Sequence, residues 1–88
     1  MTPKIEALAS EFRDEVKKEF PEKEKVFAIL KEMWDDGEDG QRIIIRSIIN
    51  IQQGYYENTR PIVEGYVIPF CDLNKIKLTK KLLKKHQY

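Results

Sequence analysis

Six lysines crowd into residues 75–85: Lys75, Lys77, Lys80, Lys81, Lys84 and Lys85. The chemistry open to them is that of charge. Closely spaced ammonium groups meet the phosphates of a polyanion and release its condensed counterions. On a helix, at about 100° per residue, Lys77, Lys80, Lys81 and Lys84 share one broad face. Arg42, Arg46 and Arg60, with Tyr55, Tyr56 and Tyr66, would extend such a surface through guanidinium contacts and base stacking. The candidate polyanion-binding set is therefore Arg42, Arg46, Lys77, Lys80, Lys81, Lys84 and Lys85. The competing reading is a solvated or internally paired face, since lysine-rich terminal helices are common on soluble proteins.

Other reactive groups lead nowhere catalytic. The acidic run DDGEDG, Asp35 to Gly40, invites a calcium reading. With Asp35 at position one of an EF-hand loop, Asp39 and Gly40 fit positions five and six. Gly37 then falls at position three, and Arg46 falls where a bidentate glutamate is required, so the match fails. The run reads instead as a solvated loop between helices, its carboxylates placed favourably before the next helix N-terminus. His86 has no partner at metal-ligand spacing and reads as a frayed surface residue. Cys71 has no CxxC and no neighbouring histidine, so it reads as a structural cysteine. No glycine-rich phosphate loop and no HExxH is present. No catalytic residue, metal site or cofactor is expected.

Large apolar side chains are the other resource. Trp34, four phenylalanines, four tyrosines and many isoleucines must all be placed in 88 residues. Where a small core cannot hold them, an isologous dimer is the usual solution. Trp34, Tyr55 and Tyr56 have the composition of interface anchors.

Formal net charge is only +1, but its distribution is lopsided. Residues 1–40 hold twelve acidic and seven basic side chains; residues 41–88 hold three acidic and nine basic. The simplest expectation is that the halves pack together and neutralise one another, or pair head-to-tail in a dimer. The alternative is a basic half facing a polyanion. A single cysteine excludes an internal disulfide and fits a reducing, cytoplasmic setting. No apolar run approaches the roughly 18 residues of a membrane span, and the acidic, amphipathic start resembles neither a signal nor a transit peptide.

These residues must be positioned by helices. Thr2 is a suitable cap and Pro3 a suitable first helical residue. Ile5, Leu8, Ala9, Phe12, Val16 and Phe20 then follow at steps of three and four, predicting a helix over 3–20. Pro21 opens a second helix, 22–35, with Val26, Phe27, Leu30, Met33 and Trp34 as its stripe. Six isoleucines fall within 43–51. As a helix they form one wide arc with Tyr55 and Tyr56, leaving only Ile43 outside it; as a strand the doublets go unexplained. The spacing predicts a central helix over 41–55.

Beyond Gly54 the segment to residue 74 is less regular. Ile62, Val63, Tyr66, Val67 and Phe70 suggest a short helix ending near Ile68, because a proline such as Pro69 costs about 3 kcal/mol in a helix interior. Two short strands turning at Glu64–Gly65 are the alternative, which would make the fold α+β. A basic helix capped by Asp72 or Asn74 closes the chain.

The expectation is thus a single all-α domain, residues 1–88, a small bundle with Phe12, Val16, Phe27, Leu30, Trp34, Ile44, Ile48 and Ile51 in its core. Helix-turn-helix DNA-binding domains have a similar size, but the acidic second turn and the apolar third helix do not suit a groove-reading element. The expected function is that of a small non-catalytic regulatory or accessory protein binding another protein, in the first place itself as a homodimer. The alternative is nucleic-acid binding by the basic half. The two are separated by where the C-terminal lysines lie: paired with acids of the first two helices, or open beside Arg42 and Arg46.

Overall fold

The computed structural model describes residues 2–55 and 57–87. It is all-α, with no strand among the described residues. Three long helices come first: α1 (Pro3–Val16), α2 (Lys23–Asp36) and α3 (Glu38–Gln52). A 3₁₀ turn (Glu57–Thr59) leads into a continuous helical stretch made of α4 (Arg60–Ile62), a π-helical turn (Val63–Val67) and α5 (Ile68–Leu73). A short α6 (Lys80–Lys85) follows an extended link.

Helix α1 starts where its cap requires: the Thr2 hydroxyl accepts from the Ile5 amide at 3.3 Å, with Pro3 in the first turn. It ends at Val16, not at residue 20, and Phe20 is 84% exposed. The cause is Glu15. Its carboxylate is buried, accepting from the Lys18 ammonium at 3.0 Å and from the Glu22 backbone amide at 3.2 Å. Glu15 therefore turns the chain back and supplies the cap that α2 lacks from its own N-cap side chain. Tyr66 fastens the same turn from the other side, donating its hydroxyl to the Pro21 carbonyl at 3.0 Å.

Only Gly37 separates α2 from α3. The acidic run is not a loop: Glu38, Asp39 and Gly40 form the first turn of α3, where carboxylates oppose the positive end of the helix dipole. Gly40 is buried against α2, and a Cβ built on it would collide with the Met33 carbonyl oxygen. The two backbones meet there, which only glycine permits. Helix α3 is the interior helix that the isoleucine doublets predict, burying Ile44, Ile45, Ile48, Ile49 and Ile51. It ends in a Schellman motif: Tyr55 donates to the Asn50 carbonyl (2.8 Å) and Gly54 to that of Ile51 (3.0 Å).

Neither the helix break near Ile68 nor the hairpin alternative occurs. Pro69 sits inside a helix that runs on to Leu73. The π turn before it widens the helix, and Ile68 donates to the Val63 carbonyl five residues back. Proline's missing amide and its clash with the preceding turn are taken up at this widening. Phe70 and Cys71 are delivered into the core, Phe70 meeting Phe27 edge-on at 5.9 Å.

The core is one cluster built from Ile5, Leu8, Val26, Leu30, Met33, Ile44, Ile48, Ile51, Val63, Val67 and Phe70, among others. Four residues expected inside it, Phe12, Val16, Phe27 and Trp34, are only half-buried, and Phe12, Phe27 and Trp34 pack around its edge. Ile5, Met33 and the π-turn valines Val63 and Val67 take their place, the π turn packing against both α2 and α3.

Candidate nucleic-acid interface

Helix α6 is capped by Thr79, not by Asp72 or Asn74: the Thr79 hydroxyl accepts from the Leu82 amide at 3.1 Å. Lys77 consequently lies in the extended link and does not share the helical face of Lys80, Lys81 and Lys84. Leu82 and Leu83 are half-buried and turn α6 onto α3, leaving Lys80, Lys81, Lys84 and Lys85 exposed. Two contacts fix the docking. Lys85 pairs with Glu38 at 3.2 Å, and Arg46 donates its Nε–H to the His86 carbonyl at 3.2 Å.

His86 is the residue the sequence reading missed. It is not frayed but 4% exposed. Burial, reinforced by Lys85, Arg42 and Arg46 and opposed by Glu38, holds its imidazole below the usual histidine range. That list of neighbours maps the electrostatics of the edge: Arg42 and Arg46 from α3 and Lys85 from α6 converge around one neutral ring. Arg42 is exposed, 3.7 Å from Asp39. No spacing in the sequence announces this cluster, because it forms only when α6 folds back along α3.

The lysines do not go to the acids of α1 and α2. Among the described residues, the ion pairs joining different elements are Lys4–Asp36 and Lys85–Glu38; the others are local pairs three or four residues apart. Lys77, Lys80, Lys81 and Lys84 make none. Glu11, Asp14, Glu15 and Glu32 instead line a groove between α1 and α2. Among the described residues the expected neutralisation of one half by the other is confined to Lys85–Glu38 and Arg42–Asp39, and the remaining α6 lysines have no acidic partner.

The expected interface anchors are not brought together. Trp34 is half-buried at the α2–α3 turn, where its carbonyl accepts from the Gln41 side chain at 3.1 Å. Tyr55 is 59% exposed beyond the far end of α3, roughly 20 Å away by helix rise. Tyr56 lies outside the described residues.

Cys71 is buried, and burial with the adjacent Asp72 carboxylate pushes its thiol up to about 11, so it is protonated and unreactive at neutral pH. Among the described residues no group of His, Cys, Asp or Glu is arranged to hold a metal ion, and no helix is long and apolar enough to cross a membrane. Comparisons with protein-family models, curated proteins and solved structures find no match to this chain.

Proposed function

We propose that this is a small non-catalytic binding protein that engages nucleic acid through the basic edge formed by α6, the preceding link and the Arg42–Arg46 flank of α3. The observation that carries the reading is the position of α6. It lies beside Arg42 and Arg46 with Lys77, Lys80, Lys81 and Lys84 exposed and, among the described residues, without ion pairs. Such a surface contacts phosphates rather than base edges, so binding is expected to be weakly sequence-dependent.

The test is fluorescence anisotropy with labelled single- and double-stranded oligonucleotides at 50 and 200 mM salt. Four to five phosphate contacts on duplex predict a loss of affinity of roughly 10²- to 10³-fold over that range. Changing Lys80, Lys81 and Lys84 to Glu abolishes binding, whereas Lys17→Glu just after α1 leaves it intact. No binding at 50 mM salt rejects the proposal.

A second reading, partner-protein binding with a homodimer as its simplest form, is favoured by a different observation. Phe20 and Leu73 are 84% and 70% exposed, and both are large apolar side chains. Light scattering after size exclusion tests it, a dimer giving twice the 10.5 kDa chain mass and a monomer at tens of micromolar rejecting the homodimer.

A further inference from the structure

We propose that the cleft between α1, α3 and the start of the 60–73 stretch binds a small amphipathic carboxylate of the medium-chain fatty-acid type. The cleft has a volume of about 260 Å³. Phe12, Val16, Ile43 and Ile62 line it, all half-buried. Ile43 is the isoleucine that falls outside the main arc of α3, and the cleft is where it goes. Val63 and the polar Ser47, Asn50 and Thr59 also line it, and among the described residues its charged side chains are Arg13 and Arg46, with no carboxylate.

The chemistry of that lining is selective. Arg13 stands in the last turn of α1, exposed and without an ion pair among the described residues. Arg46 also stands at the wall, held there by the bond from its Nε–H to the His86 carbonyl, so the anionic head falls to Arg13. Hydrocarbon beside two guanidinium groups complements an apolar chain carrying an anionic head. A guanidinium can hold a carboxylate through two parallel hydrogen bonds, and desolvation by the surrounding hydrocarbon strengthens them.

Size narrows the occupant further. The cleft lies just below the roughly 300–1,000 Å³ of sites for drug-sized ligands. A partner helix, about 10–12 Å across with its side chains, needs a longer and wider groove. A single acyl chain fits. A nucleic-acid phosphate, with no hydrocarbon to bury, gains nothing from Phe12 or Ile62, so this site differs from the α6 edge although Arg46 borders both.

The experiment is an NMR titration of the full ¹⁵N-labelled chain with octanoate, decanoate and decanol, with light scattering on the same samples. Saturable shifts are expected at Arg13, Ser47, Asn50 and Ile62. Two methylenes make decanoate roughly fifteenfold tighter than octanoate, at about fourfold each. Arg13→Gln weakens decanoate by about tenfold, while the melting temperature stays unchanged because Arg13 is exposed. The Lys80, Lys81 and Lys84 to Glu variant binds decanoate as the parent does, which separates this site from the nucleic-acid reading. The proposal is overturned if no shift saturates, if decanol matches decanoate, or if shifts follow the α6 lysines. It is equally overturned by a doubled mass that Phe20→Ala removes, which would seat a second copy in the cleft.

Discussion

At the scale of single residues, His86 and Gly40 have the sharpest consequences. The folded protein disfavours protonated His86, chiefly through burial and then through Lys85, Arg42 and Arg46, with Glu38 the one opposing charge. The unfolded chain titrates near pH 6.5. As pH falls through that value the unfolded state takes up the proton first, so stability is full above about 6.5 and declines below it. Thermal melts between pH 7.5 and 5 should show this decline, and His86→Gln should flatten it; an unchanged slope in the variant would assign the effect elsewhere. A second decline, below about pH 4.3, belongs to Glu15 and Glu38. Their carboxyls are held low mainly by hydrogen bonds from Lys18 and Lys85, respectively. Gly40 tests packing rather than charge. Gly40→Ala drives a methyl into the Met33 carbonyl, so α2 and α3 must separate. A loss toward the upper end of about 1–3 kcal/mol is expected from urea denaturation. A loss within the few tenths of an exposed site would mean that the backbones do not touch there.

Among the elements, the two Schellman motifs differ in one instructive way. That of α3 places Gly54 in the left-handed region (φ 82°), whereas α5 ends with the same bond pattern around Lys75 (φ 58°). Ile76 donates to the Cys71 carbonyl (2.8 Å) and Lys75 to that of Asp72 (3.2 Å). A side chain in that conformation costs about 1–2 kcal/mol, part of which glycine returns through the freedom of the unfolded chain. Lys75→Gly should therefore stabilise by about 1 kcal/mol, or roughly 4–8 °C in Tm for a domain of this length. A lower Tm would mean that the link to α6 does not use this turn. The contrast also shows what could be read in advance. Thr2–Pro3 and the isoleucine doublets are local signals, and α1 starts and α3 forms where they point, although α3 runs over Glu38–Gln52 rather than 41–55 because Glu38 and Asp39 start it early and Gly54 stops it. Phe20 keeps the α1 period but not the α1 helix, because Glu15 acts across seven residues on Glu22. The π turn hides in a 3.6-residue pattern, since a five-residue hydrogen bond leaves no mark on apolar spacing. The basic edge was legible as composition, in Lys80, Lys81, Lys84, Arg42 and Arg46. Its centre was not: His86 becomes buried only through contacts forty residues away in the chain, such as Arg46 to its carbonyl.

For the whole molecule, net charge and charge placement make opposite predictions. A formal charge of +1 implies little attraction to any polyanion. A surface with Glu11, Asp14 and Glu32 on the α1–α2 side and Lys80, Lys81 and Lys84 on the α6 side implies strong, oriented attraction through one edge. Two triple variants separate these views. Lys80, Lys81 and Lys84 to Glu reverses the edge; Lys17, Lys25 and Lys31 to Glu adds the same charge to α2 and the link before it. Three lysine-to-glutamate changes of two charges each take either variant from +1 to −5. If placement governs, the parent is retained on immobilised heparin at low salt. The second variant then elutes close to it, because none of its new charges lies on α6 or on the Arg42–Arg46 flank of α3. The α6 variant flows through. Equal loss of retention in both variants would make net charge the determinant, and the separation of acidic and basic surfaces would then have no bearing on binding. Circular dichroism of both variants checks that each remains folded, which the exposure of all six lysines leads us to expect.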